Sequence, residues 1–121
     1  MDINYYPAPT DGSPPCWELV SLVYSRELNT GVAEFKTVDS SVRAIASEFR
    51  LQLHKGAHGF QRISHPQDFC VVLMGRHERT GPHHCGVFFG GRVLHATSSG
   101  VAYQDLASIQ DTYRLVEFWA K

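Results

Sequence analysis

Two consecutive glycines, Gly90-Gly91, separate two short segments rich in apolar residues, 84–89 and 92–97. Glycine adopts positive φ at little steric cost, and a tight two-residue hairpin turn requires positive φ at both of its central positions. The pattern therefore predicts a β-hairpin, and a hairpin with a turn of known length has a known register. This feature restricts the fold more than any other, because it sets which side chains share a face of the sheet.

The predicted register separates the histidines of this region. Gly86 is expected to face His95, and side chains alternate across a strand, so that His84, Gly86 and His95 share one face. His84 and His95 are then diagonal neighbours whose rings can approach each other. His83 and Cys85 are expected to point to the opposite face. Gly86 either opens the shared face to a helix N-terminus and a substrate or only relieves crowding in a twisted strand.

A cysteine lies at the predicted start of the first helix. Ser13 is a favourable N-cap, Pro14 suits the first helical position, and Asn29-Thr30-Gly31 is a typical helix end. Apolar residues recur between these limits at helical spacing, namely Leu19, Val20, Val23, Tyr24 and Leu28. Cys16 then lies in the first turn, where backbone N–H groups and the helix dipole favour a thiolate.

The three side chains together indicate a cysteine hydrolase. A thiolate attacks a carbonyl carbon, one imidazole acts as base and then acid, and a second polar group orients that imidazole. Cys16, His84 and His95 are the residues that we expect to carry these functions.

The middle of the chain predicts one more helix. It should begin near Asp39-Ser40-Ser41 and fade by Lys55-Gly56, and its predicted buried side consists of Val42, Ile45, Ala46 and Phe49. The segment from there to Pro66 shows no regular pattern.

Beyond Pro66 the pattern changes to short strands. Strands are expected at 69–74 and 113–119 in addition to the hairpin, and residues 101–109 predict a short strand or a helical turn. Helices that precede an antiparallel sheet define an α+β domain. We expect a single domain over residues 1–121, with an extended N-terminal arm at 1–13.

Composition limits the function classes. The 121-residue chain has a formal net charge of −1, which gives no electrostatic basis for binding nucleic acid or an anionic membrane surface. It lacks the roughly 20 consecutive apolar residues that cross a bilayer, and residues 1–7 lack the features of a secretory signal. We therefore expect synthesis in the cytoplasm and no nucleic-acid or membrane partner.

The three cysteines do not predict a disulfide framework, because their number is odd and their spacing wide. Cys70 and Cys85 are expected to fill the sheet interior or its back face. A zinc site at the cluster of His77, His83, His84 and Cys85 is disfavoured, since adjacent strand residues point to opposite faces. We expect no metal and no other cofactor.

Three segments, in order along the chain, resemble motifs of the NlpC-type papain-like cysteine peptidases. Residues 16–20, Cys-Trp-Glu-Leu-Val, are similar to the nucleophile motif D-C-[SWY]-G-[LF]-V. Residues 84–90, His-Cys-Gly-Val-Phe-Phe-Gly, are similar to the strand motif H-V-G-[IV]-[YF]-[LI]-G, and residues 93–96, Val-Leu-His-Ala, to [FV]-[IL]-H-A. Two positions depart from the first motif, with Pro15 in place of its Asp and Glu18 in place of its Gly.

The resemblance implies a papain-like NlpC-type domain that hydrolyses amide bonds of peptidoglycan stem peptides, preferentially γ-D-glutamyl–diamino acid bonds. It implies Cys16 as nucleophile, His84 as base and His95 as the third member of the triad. A tyrosine ten or eleven residues before the cysteine, Tyr6 or Tyr5, either lines the substrate cleft or anchors the arm.

The short single-domain form, Trp17 and the segment Val116-Glu117-Phe118-Trp119 most resemble the branch found in phage tails and gene-transfer agents. That branch implies tail proteins as partners and a location on the virion tail. An injected effector or a cytoplasmic peptide-recycling enzyme also fits a chain without a secretion signal. The competing hypothesis is a non-catalytic tail or assembly module that keeps the fold, with Pro15 and Glu18 as traces of lost turnover.

Overall fold

The computed structural model describes residues 15–32, 42–54, 59–97 and 100–121. The predictions for the N-terminal arm and for Ser13, Pro14, Tyr5 and Tyr6 lie outside these ranges. The elements are, in order, α1 Pro15–Leu28, α2 Val42–Phe49, a π-helical turn Arg50–His54, β1 Gln61–Ile63, β2 Val71–Gly75, β3 His84–Phe89, β4 Arg92–Thr97, β5 Gly100–Asp105, α3 Leu106–Thr112 and β6 Leu115–Ala120.

The six strands form one antiparallel sheet in the order β1-β6-β2-β3-β4-β5. The predicted α+β class with a small antiparallel sheet is confirmed. Several details differ from the sequence prediction, and the strands expected at 69–74 and 113–119 begin only at Val71 and Leu115. Residues 101–109 contain both a strand and a helix, so α3 lies between β5 and β6 rather than before the sheet. Three-residue β1, in the segment without a regular pattern, is too short for an alternating pattern to be recognised.

Helix α1 has the predicted buried side, with Leu19, Val20, Val23 and Tyr24 all buried. Leu28, which was expected on the same side, is exposed because the helix ends there. Asn29 has a φ of 49°, and the Thr30 N–H donates to the Tyr24 carbonyl at 3.1 Å. This is a left-handed C-terminal cap at Asn29, within the segment Asn29-Thr30-Gly31 that was predicted to end the helix.

Both faces of the sheet are covered. The residues of α1 pack on one face together with Phe49, Leu53 and Phe60, against side chains that include Val71, Leu73, Cys85, Val87 and Leu94. The opposite face carries a second cluster of Cys70, Val72, Met74, Val93 and Ile109, where Ile109 comes from α3. Strand β2 is buried over its whole length, as expected for a strand with a continuous apolar pattern. We call these the helix face and the back face.

Candidate active site

The start of α1 is held in place by a buried aromatic cluster. The Trp17 ring meets those of Phe49 and Phe60 edge-on, with centroids 6.2 and 6.4 Å apart. Because Trp17 is 1% exposed, the first turn of α1 is fixed to α2 and to the segment before β1. The neighbouring Cys16 is thereby positioned against β3, where it is 5% exposed.

The predicted hairpin register is confirmed. Gly90 and Gly91 have φ values of 58° and 82°, as the two-residue turn requires, and Gly86 pairs with His95. The register brings the histidine rings together on the back face, with His84 Nε2 and His95 Nδ1 2.9 Å apart. The ring centroids are 5.1 Å apart and the planes meet at 75°.

Gly86 is buried between the two histidines, where a larger residue has no room. A Cβ added there would lie 2.5 Å from the Leu94 carbonyl oxygen and 3.0 Å from the His95 Cβ. Glycine therefore lets β3 and β4 approach closely at the pair that carries His95. A role of Gly86 in substrate binding stays a prediction.

The Cys16 thiol is hydrogen-bonded to two residues of β3, His84 and Cys85. The pKa of Cys16 is lowered to about 5, chiefly because the Cys85 thiol donates to its sulfur, and further by the hydrogen bond and charge of His84; burial acts in the opposite direction. Burial and the Cys16 sulfur both raise the pKa of Cys85, so Cys85 is the partner that keeps its proton. The sequence-predicted trio of Cys16, His84 and His95 is thus brought together.

The chain of hydrogen bonds continues to Gln104 on β5, which sequence reasoning did not identify. His95 Nε2 lies 2.6 Å from Gln104 Oε1, and a carbonyl oxygen only accepts, so His95 Nε2 carries a proton. Burial lowers the pKa of His95, as does the charge of His84, which keeps the ring neutral with Nδ1 as acceptor. His84 then donates from Nε2 to His95 and presents Nδ1 to Cys16.

Tyr113, just before β6, is a second side chain that the sequence did not indicate. Its ring stacks on His84, with centroids 5.8 Å apart and planes at 22°. Burial and the nearby Cys16 charge raise the pKa of Tyr113 against a lowering by Arg76, so the phenol stays protonated. The predicted strand 113–119 begins only at Leu115, which leaves Tyr113 outside the strand and free to cover His84.

His83 has a different environment from His84. Its backbone N–H donates to the Met74 carbonyl at 2.9 Å, and its Nε2 accepts the backbone N–H of Arg76 at 3.2 Å. Burial lowers the pKa of His83, with further lowering by the charges of His84 and Arg76. His83 closes the loop between β2 and β3, and its ring nitrogen is occupied there.

A cavity of about 710 Å³ lies beside this loop, lined by His77, Glu78, Arg79, Thr80 and Arg114. Arg114 directly follows Tyr113 along the chain. The two guanidinium groups of the cavity outnumber its single carboxylate, which makes it suited to anionic groups.

No His, Cys, Asp and Glu side chains are grouped as a metal site among residues 15–32, 42–54, 59–97 and 100–121. No helix in the described part of the chain is long and apolar enough to cross a membrane. No family model, no curated protein and no solved structure matches this chain.

Proposed function

We propose that this protein is a cysteine peptidase of the NlpC type, with a papain-like fold, that hydrolyses amide bonds in peptidoglycan stem peptides. The single observation that carries the proposal is the continuous hydrogen-bond chain from Cys16 through His84 and His95 to Gln104. A nucleophile, a base and an orienting group in contact are the arrangement that acyl transfer requires.

In the proposed reaction the Cys16 thiolate attacks the scissile carbonyl carbon. His84, holding the proton at Nδ1, passes it to the leaving amine as the carbon–nitrogen bond breaks. Water then attacks the resulting thioester, His84 accepts its proton, and the thiolate leaves. His95 remains neutral throughout and holds His84 in the productive orientation, as Gln104 holds His95.

The start of α1 supplies a donor for the oxyanion. Backbone N–H groups in the first turn of a helix have no intrahelical acceptor, and the Cys16 N–H belongs to this set. A donor aimed at developing negative charge stabilises the tetrahedral intermediate by about 3 kcal/mol in comparable sites. A tyrosine of the N-terminal arm, Tyr5 or Tyr6, is the proposed second contributor.

The arginine-lined cavity supports an acidic peptide as substrate. Arg79 and Arg114 both line this cavity, so it offers two guanidinium groups to a carboxylate of the substrate. Peptidoglycan stem peptides carry such carboxylates. The motif resemblance favours a phage-tail setting, in which tail proteins are the partners and the wall is opened locally.

The deciding experiment is the incubation of purified sacculi with the wild-type protein, Cys16→Ala and Cys70→Ala. Cys70 is a matched control because it is also buried but packs in a different core cluster, with Val72 and Met74, from that of Cys16 and Cys85. Mass spectrometry of the supernatant is expected to find released peptides with the wild type and Cys70→Ala only. No release by the wild type, or equal release by Cys16→Ala, would overturn the proposal.

The same experiment, together with the alkylation rates of the cysteines, distinguishes a peptidase from a non-catalytic module with the same fold. A module predicts folded protein without released peptides and three cysteines that react slowly with iodoacetamide at pH 6. A peptidase predicts rapid modification of Cys16 alone, since only this thiol is ionised there.

A further inference from the structure

A second thiol, Cys85, lies against the proposed nucleophile, and in the peptidase reaction it only lowers the pKa of Cys16 and forms no bond to the substrate. Cys85 is fully buried on the helix face, in the same cluster as Cys16, and donates a hydrogen bond to the Cys16 sulfur. The remaining cysteine, Cys70, packs on the back face with Val72 and Met74, so the sheet lies between it and the pair.

We propose that Cys16 and Cys85 are a redox-active pair that a hydroperoxide converts to an intramolecular disulfide. The inference concerns these two sulfurs and does not depend on peptidase turnover. Its basis is that one buried sulfur is the reactive nucleophile of the fold while the other is held in contact with it.

The chemistry proceeds in two balanced steps. The Cys16 thiolate attacks one oxygen of hydrogen peroxide, the oxygen–oxygen bond breaks, hydroxide leaves, and Cys16 becomes a sulfenic acid. The Cys85 sulfur then attacks the Cys16 sulfur, loses its proton, and displaces hydroxide, which takes up a proton to leave as water. The peroxide is reduced and the two thiols are oxidised.

The two thiols differ in exposure and in ionisation, as the two reaction steps require. Cys16 is 5% exposed and ionised, whereas Cys85 is 0% exposed and keeps its proton. Oxidation therefore starts at Cys16, and Cys85 acts as the resolving thiol. A disulfide requires the sulfurs to approach to about 2.05 Å, and the hydrogen bond between the two thiols makes them neighbours in the same buried cluster.

The disulfide has a functional consequence for the site. It removes the nucleophile reversibly, and it protects Cys16 from further oxidation to the sulfinic acid, which is irreversible for most proteins. A thiol reductant is expected to restore both sulfurs.

The test uses hydrogen peroxide on the full chain at pH 6, followed by catalase, unfolding, alkylation with iodoacetamide, and intact-mass and peptide mass spectrometry. The wild type is expected to lose about 2 Da, to keep only Cys70 for alkylation, and to yield a peptide that links Cys16 to Cys85. Dithiothreitol should restore all three alkylation sites. Cys70→Ala should form the same link.

Cys85→Ala and Cys85→Val are the decisive variants, and two are used because the position is buried in the core. Both variants lack the hydrogen bond that lowers the pKa of Cys16, so they and the wild type are also oxidised at pH 8.5, where an ordinary thiol is about half ionised. In either variant, Cys16 is then expected to gain about 32 Da as the sulfinic acid instead of forming a link. The proposal is overturned if the wild type also forms the sulfinic acid, if Cys16 links to another molecule, or if Cys16 does not react. Because the readout is mass, a protein without peptidase activity still gives a decisive answer.

Discussion

The ionisation of Cys16 gives the sharpest quantitative prediction. The hydrogen bond from Cys85 and the contact with His84 lower its pKa to about 5. At pH 6 about nine-tenths of such a thiol is ionised, whereas an ordinary cysteine, with a pKa of about 8.5, is ionised to about 0.3%. At pH 8 Cys16 is almost fully ionised, whereas the ordinary cysteine is about one-quarter ionised.

These fractions set the pH dependence of alkylation. Between pH 6 and pH 8 the iodoacetamide rate of an ordinary thiol rises about 70-fold more than that of Cys16. A thiolate of low pKa is intrinsically less nucleophilic, and a buried sulfur is less accessible. Both factors are the same at the two pH values, so they cancel from the comparison. The Cys16 rate should fall only as the pH drops through about 5.

The assay follows Cys16 in the Cys70→Ala protein together with a cysteine-containing model peptide in the same tube, and both are quantified by mass spectrometry. His84→Gln removes a hydrogen bond and a charge, so it should move the Cys16 profile to higher pH. His83→Gln is the matched control, since its ring nitrogen is bonded to Arg76, and should move the profile less. A Cys16 rate that follows the model peptide between pH 6 and pH 8 would refute the reasoning.

Three further predictions concern neighbouring residues. Gly86→Ala forces a Cβ to within 2.5 Å of the Leu94 carbonyl oxygen. Urea denaturation should therefore show a free energy of unfolding that is lower by about 1–3 kcal/mol than that of the wild type. Gly31→Ala, with open space around the new Cβ, is the control and should leave the free energy of unfolding unchanged. His95→Ala removes the acceptor that orients His84, so kcat on stem peptides should fall about 100-fold while KM stays nearly constant. A change confined to KM would contradict the orienting role of His95. Arg114→Gln should raise KM about tenfold for substrates with a free carboxylate and not for their amidated forms, as measured by steady-state kinetics.

The parts of the site that could be predicted are those whose conformation a short sequence pattern determines. Gly90-Gly91 sets a two-residue turn, and from it the pairing of Gly86 with His95 and the contact between His84 and His95 follow by counting. The first turn of α1 was likewise predictable from its flanking prolines and its helical pattern.

The parts that could not be predicted depend on strand assignment and packing that no local pattern in the sequence specifies. Gln104 contacts His95 only because β5 pairs with β4 in one particular alignment, and residues 101–109 did not distinguish a strand from a helix. Tyr113 stacks on His84 because α3 brings the chain back to the end of the sheet where β3 begins. Cys85 was placed on the correct side of the strand, but its contact with Cys16 depends on the way in which α1 packs.

The position of β6 between β1 and β2 has a consequence for how the chain reaches this fold. Strands β2 to β5 follow one another in sequence and pair as neighbours, so this meander closes short loops and can assemble early at small entropic cost. Strand β1 pairs with β6, and β6 is separated from the meander along the chain by α3. We therefore expect a folding nucleus in the meander and a late docking step that incorporates β1 and β6 together.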